Sequence, residues 1–348
     1  MFLHEVNNTV LKEAWYAMPG SIYDKYPNKP FMLQADIERV FDAQQNSLLR
    51  NGHARRWLLF DAYNLPAARI AAFYSPDNNG LGKIGFFDCT NDHAAAHTVF
   101  DAAIHWLREQ GAHTAEGPVN FGEKDRFWGL MTEGNNTKGL YLDNFNPPYY
   151  KELFTSYGFN PHETIHTYKM TLDNIPAERL NRLAQHAQRT GYNFRHFQWQ
   201  QQDRMAYELH AIYTSSFEVK NRISHISVND IQHLLHSVKP LLNEKHCWLA
   251  YHNDRPCGFI LFLKEPAQFN TIPVMLKGFA FATIPSARMK GVEAGLCMHL
   301  YEQLKSENVQ YELYLSGINS KTTKMRSLIK KLGGHTDKTH ETFTYTID

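Results

Sequence analysis

The sequence predicts an α/β protein of two similar domains in tandem, each a mixed central sheet flanked by helices, and three observations predict it. The length, 348 residues, accommodates two domains of roughly 150 residues each. The stretch LFTSYGFNPHETIHTY at 153–168 returns as LIKKLGGHTDKTHETFTY at 328–345. Each is the end of a helix stopped by glycine, Gly158 or Gly333, followed by a turn and an alternating strand. The two glycines stand 175 residues apart, half the chain, and H-E-T opens both strands. Finally, each half carries a pair of strands ahead of a long helix, the order that builds an α/β layer.

Taken in order, ARIAAFYS and KIGFFDC flank the loop PDNNGLG as two strands. A helix over 92–110 follows, stopped by Gly111, with Ala96, Val99, Phe100, Ala103, Ile104 and Leu107 spaced as the stripe of a helix packed on a sheet. The junction lies in TLDNIPAER, where Asp173, Asn174 and Pro176 punctuate before a helix over 177–189. This sets domains at 1–172 and 173–348. In the second, YNFRHFQW alternates as a first strand, CWLAYHN and CGFILFLK form a hairpin around Asp254 and Arg255, LKGFAFAT is a further strand, and a helix covers 292–306.

Composition narrows the function classes. With 43% hydrophobic and 20% charged residues the chain is globular, not disordered. A formal net charge of +1 excludes general nucleic-acid coating. Residues 1–172 carry 15 basic and 19 acidic side chains and the remainder 21 and 16, so an anionic ligand is expected in the second half. No run of 18 apolar residues and no signal-peptide pattern occurs, which predicts a cytoplasmic protein with no membrane partner. Cys89, Cys247, Cys257 and Cys297 form no C-x-x-C pair and read as reduced, mostly buried residues. His233 and His236 stand three apart on a helix without a third ligand at metal spacing, so no metal is expected.

The strongest local signal is FATIPSARMKGVEAGL, 281–296: a strand, a loop with Pro285, Arg288, Lys290 and Gly291, then a helix. A glycine at such a turn lets the first amides of the helix approach a phosphate, and the helix dipole adds partial positive charge. The other reading of these residues is a plain strand-to-helix turn with basic side chains. The pattern resembles the pyrophosphate loop of the GNAT acyltransferase superfamily, V-x-P-x-x-R-x-x-G-x-G, with Pro285, Arg288, Gly291 and Val292 in register and Glu293 where the family prefers glycine or alanine. KMRSLIKKLGG resembles the family's later helix motif, with Leu328 in register but Thr322, Met325 and Ile329 replacing its asparagine, alanine and tyrosine. In the first half PPYYKELFTSYGF resembles the same motif, whereas TNDH leads straight into the helix without a glycine-rich turn. With MPGSIYDKYPN and GPVNFGEKDRFWGLMTEG, nearly the whole chain resembles a group of functionally obscure bacterial tandem GNAT proteins.

The resemblance implies acyl transfer from acetyl-CoA or another acyl-CoA to an amine, the acceptor being a small molecule or peptide. It implies a first domain that has lost donor binding, and a CoA site at Phe281, Ala282, Thr283, Arg288, Met289, Lys290, Gly291, Val292, Glu293, Ala294 and Thr322. Catalysis asks for a polarised thioester carbonyl, a base for the amine and an acid for the sulfur. On YELYLS the residues Glu312, Tyr314 and Ser316 share one face and are the candidates for proton transfer, with Tyr311, Leu313 and Leu315 on the other. His225, in SSFEVKNRISHIS, together with Asn120 and Trp128 of the first half, are candidates for the acceptor site. Two other functions remain open: a ligand-binding protein without turnover, motivated by Glu293, Thr322 and Ile329, and a transferase using acyl-carrier-protein or aminoacyl-tRNA donors.

Overall fold

Hydrophobic periodicity and turn residues place the elements of the computed structural model. The first half runs β1 (Phe2–Glu5), α1 (Thr9–Tyr23), α2 (Gln34–Phe41), β2 (His53–Phe60), β3 (Pro66–Tyr74), β4 (Leu81–Cys89), α3 (His93–Glu109), β5 (Thr114–Gly117), β6 (Leu130–Glu133), α4 (Tyr150–Tyr157) and β7 (Asn160–Thr171). The second runs α5 (Ala177–Arg189), β8 (Tyr192–His196), α6 (Gln202–Phe217), α7 (Val228–Val238), β9 (Cys247–His252), β10 (Arg255–Lys264), β11 (Val274–Thr283), α8 (Val292–Ser306), β12 (Tyr311–Asn319), α9 (Thr323–Lys331) and β13 (His335–Thr346). All residues except 123, 125, 218–225 and 267–271 are described.

The chain forms two units, and they are not divided at one point. Unit 1 holds Met1–Thr167, Gly317–Thr323 and Thr336–Asp348; unit 2 holds Tyr168–Ser316 and Lys324–His335. The linear division at 172/173 thus differs from the spatial one mainly at the end of the chain, where nearly all of β13 joins unit 1. Its sheet runs β1-β2-β3-β4-β5-β13, with β6 also on β13. Strand β13 lies antiparallel to β5, Phe343 opposite Gly117. The physical reason is apolar burial: Phe343 has no exposed surface and packs 5.5 Å from Phe154, inside the core that also takes Val99, Phe100, Ala103 and Leu107 of α3. Burying one such aromatic contributes about 1.5–3 kcal/mol.

Unit 2 repeats the pattern of unit 1. Strands β8, β9, β10 and β11 are successively antiparallel, α8 crosses over, and β12 returns parallel to β11. The β9–β10 hairpin turns on Asn253 and Asp254, both at positive φ, as a two-residue turn between twisted strands requires. Helices α5 and α8 cover one face with Leu276, Tyr311 and Leu313, and α6 and α7 cover the other with Leu249, Phe259 and Leu261. The last segment of β7, from Tyr168, enters unit 2 beside β12. Among the described residues no helix is long and apolar enough to cross a membrane, and all four cysteines are free thiols.

Candidate functional site

The topology of unit 2 opens a wedge. Parallel strands β11 and β12 pair only over Val274–Lys277 and Tyr311–Tyr314. Beyond that point β11 stays with β10, Phe281 opposite Ile260 and Thr283 opposite Gly258, after a register shift between Leu261 and Phe262. A bulge bends the strand that carries it, and here the bent stretch of β11 leads directly to the loop before α8.

That loop ends at Gly291, which caps α8 with φ +83° and no side-chain hydrogen bond. A side chain there is excluded twice: the backbone is left-handed, and a Cβ would stand 2.4 Å from the carbonyl oxygen of Leu183 on α5. Gly295 N–H is the first amide to close the helix, on Gly291 O at 2.9 Å. The amides of Val292, Glu293 and Ala294 therefore head the helix without a backbone acceptor among the described residues. Val292 is fully buried, while Met289 is 99% exposed at the loop's tip with Lys290 exposed beside it. Ala282 and Thr283 are buried, and Thr283 Oγ1 has no hydrogen-bond partner among the described residues.

The matching helix start in unit 1 is built differently. Asp92 caps α3, its carboxylate accepting from the amides of Ala94 (2.8 Å) and Ala95 (3.1 Å), so a fixed negative group already sits there. The adjoining strand end is also taken: Cys89 N–H donates to Tyr150 Oη and Tyr149 Oη donates to Cys89 O, both at 2.9 Å. Where β4 leaves β5, after the pair Lys83 and Glu116, the chain fills the gap itself, Val119 N–H bonding Ile84 O at 2.8 Å. The helix start of unit 2 therefore lacks the N-cap carboxylate that closes the one in unit 1. The residues at α8 fit an anionic group, with an uncapped helix start, a glycine no other residue can replace and a buried hydroxyl lacking a partner.

Two side chains qualify that fit. Arg288 Nε donates to Thr283 O (3.0 Å) and Nη2 to Ser216 O (3.2 Å), so the guanidinium staples the loop to the end of α6. Glu293 is half-buried, and burial raises its pKa against the opposing pull of its own backbone N–H and of Arg288. Burial, helped by the Glu293 charge, in turn pushes the Cys257 thiol up to about 11 and Cys297 up to about 12.

On β12 the face carrying Tyr311, Leu313 and Leu315 joins the core under α8. The opposite face brings together Glu312 and Tyr314 with Lys169 from the end of β7. Lys169 Nζ meets Glu312 Oε1 at 2.7 Å, and Tyr314 Oη donates to Glu312 Oε2 at 2.7 Å. Ser316 follows on the same strand. Lys169 was not foreseen from the sequence, since it lies in the other linear half. Of the remaining candidates, Thr322 belongs to the stretch grouped with unit 1, where its hydroxyl donates to Asn319 O at 2.6 Å. Asn120 and Trp128 are both buried in unit 1, Trp128 with Lys83 and Lys124 at 5.0 and 5.1 Å from its ring. His225 lies outside the described residues. Among those described, no group of three or more His, Cys, Asp or Glu is placed to hold a metal ion.

No family model matches the sequence, and no curated protein matches it. Solved structures do. A tandem GNAT protein from the clavulanic acid biosynthesis pathway, determined without acetyl-CoA, superposes with TM-score 0.61 at 9% identity over 100% of this chain and 99% of its own. A GCN5-related N-acetyltransferase from Sphaerobacter thermophilus gives 0.57 at 12% identity over 99% and 96%. The GCN5-related glucosamine N-acetyltransferase region of a fungal multi-domain GH3 β-N-acetylglucosaminidase gives 0.62 at 12% identity; it is matched by 99% of this chain, which spans 38% of that protein. At such identities the likeness establishes the tandem GNAT fold, and with it the two-domain α/β architecture expected from the repeat.

Proposed function

We propose that this chain is a CoA-dependent acyltransferase, an N-acetyltransferase in its simplest form, with unit 2 holding the donor and unit 1 a scaffold that has lost donor binding. One observation carries the reading: of two matching helix starts, α3 is capped by the Asp92 carboxylate, whereas α8 is capped by a glycine that offers no side-chain bond, and the first backbone bond closes only at Gly295. The amides of Val292, Glu293 and Ala294 and the loop 288–291 would hold the diphosphate of acyl-CoA. The wedge beyond Lys277 and Tyr314 leaves edge amides of β11 without a β12 partner, suited to polarising a thioester carbonyl. The amine nitrogen then attacks that carbonyl, a C–N bond forms, the C–S bond breaks, and the sulfur departs as thiolate. Glu312 would take the amine's proton: each of its oxygens retains a lone pair beyond the bond it already accepts. Tyr314 and Ser316 carry hydroxyls on the same strand face and would return a proton to sulfur.

Titration calorimetry of the full chain with acetyl-CoA tests the reading. Binding should also stabilise the protein as RT ln(1 + [L]/Kd), about 2.7 kcal/mol at a hundredfold excess over Kd. No heat and no thermal shift would reject it. A second reading, binding without turnover, is favoured by Glu293 and by the engaged guanidinium of Arg288; it is selected if acetyl-CoA binds but no amine releases free CoA.

A further inference from the structure

Both oxygens of Glu312 are engaged, and the two partners come from different strands. Lys169 reaches it from β7, and Tyr314 reaches it along β12. All three are shielded: the side chains of Lys169 and Glu312 are 24% and 19% exposed, and Tyr314 is 3% exposed. Lys169 Nζ also stands 5.7 Å from the centre of the Tyr314 ring. Tyr314 is the last β12 residue paired with β11, opposite Lys277, so the cluster sits where the two strands begin to part.

We propose that Lys169, carried by the final strand of the first linear half, is the positioning residue of the transfer site, clamping Glu312 Oε1 so that Oε2 holds the Tyr314 hydroxyl at the mouth of the wedge. The inference rests on the acyltransferase reading and adds to it. A carboxylate on a strand can swing about its side-chain bonds; a charge-assisted bond at 2.7 Å removes that freedom. Lys169 from β7 and Tyr314 from β12 contact Glu312, and Lys277 of β11 stands opposite Tyr314, two register positions along from Glu312. Lys169 acts through Glu312 and touches no reacting atom. The first half of the chain, closed to donor at its own helix start, would then still serve the reaction by lending this side chain to unit 2.

The test uses the full chain with acetyl-CoA as donor and a panel of primary amines (amino acids, polyamines, amino sugars and a lysine peptide), read by release of free thiol. K169M should lower kcat about tenfold or more while calorimetric acetyl-CoA affinity stays within twofold of the parent. K169R should restore most of the rate, and K169Q serves as a second variant should K169M fold poorly. In an E312Q background, K169M should have no further effect, an outcome that a general loss of packing would not produce. Parent-like kcat in K169M and K169Q, or full additivity with E312Q, overturns the inference. If the parent binds acetyl-CoA and releases thiol with no amine, the inference falls while the donor site stands. If it does not bind acetyl-CoA, the acyltransferase reading itself falls.

Discussion

Gly291→Ala is the perturbation whose cost the structure sets most directly. The left-handed backbone at φ +83° costs an alanine roughly 1–2 kcal/mol. The added Cβ would also stand 2.4 Å from Leu183 O and 3.4 Å from the Ala187 methyl. The first is a backbone atom in the middle of α5, so relief requires the helix to move, and overpacking of this kind costs about 1–3 kcal/mol more. A control lies in the same unit. Gly191 has φ +88°, yet its added Cβ meets only the His252 ring, at 3.6 Å. Gly191→Ala therefore carries the backbone term alone. The difference between the two variants is about 1–3 kcal/mol, which for a unit of this size corresponds to roughly 2–12 °C in Tm by scanning calorimetry. The same variants should separate in binding, Gly291→Ala losing acetyl-CoA and Gly191→Ala keeping it. Equal Tm losses in the two variants, or a parent-like Gly291→Ala, would refute the claim that close approach of α5 demands glycine there.

The other expectations concern charge, capping and the end of the chain. Glu293 has a native pKa above its unfolded value of about 4.3, so its cost to stability is absent below that value and grows as pH rises to the native one. Glu293→Gln should accordingly raise Tm at about pH 8 and leave it unchanged at about pH 4; a gain confined to acid pH would reverse the sign. Asp92→Ala removes the cap of α3 and should cost about 0.5–2 kcal/mol, seen as faster amide exchange at Ala94 and Ala95, without creating acetyl-CoA affinity in unit 1. Phe343→Ala should cost about 3–5 kcal/mol and, by hydrogen-exchange mass spectrometry, strip protection from α3 and β4 more than from β9 and β10. Loss confined to β9 and β10 would contradict the placement of β13 in unit 1.

Much of this protein was determined by sequence alone, because the signals involved are local. Helix periodicity in 92–110 marked the buried stripe of α3, every residue of which lies in the core, with Ala95 and Trp106 buried beside it. Gly158 and Gly333 ended their helices at positive φ as their type allows. Pro285, Arg288 and Gly291 marked the loop before α8, and the alternation of 311–316 separated the core face of β12 from the face bearing Glu312. Tertiary structure decided what no local signal encodes. Strand β13 sits in unit 1 because Phe343 finds its apolar partners there, across more than 180 residues of chain to Phe154. Arg288, which the motif resemblance aligns with a phosphate ligand, uses two of its five N–H donors on carbonyl oxygens that only the fold brings within reach. Lys169 reached Glu312 from the opposite linear half, 143 positions away, and pairing at that range depends on strand order, which side-chain spacing along the sequence does not carry.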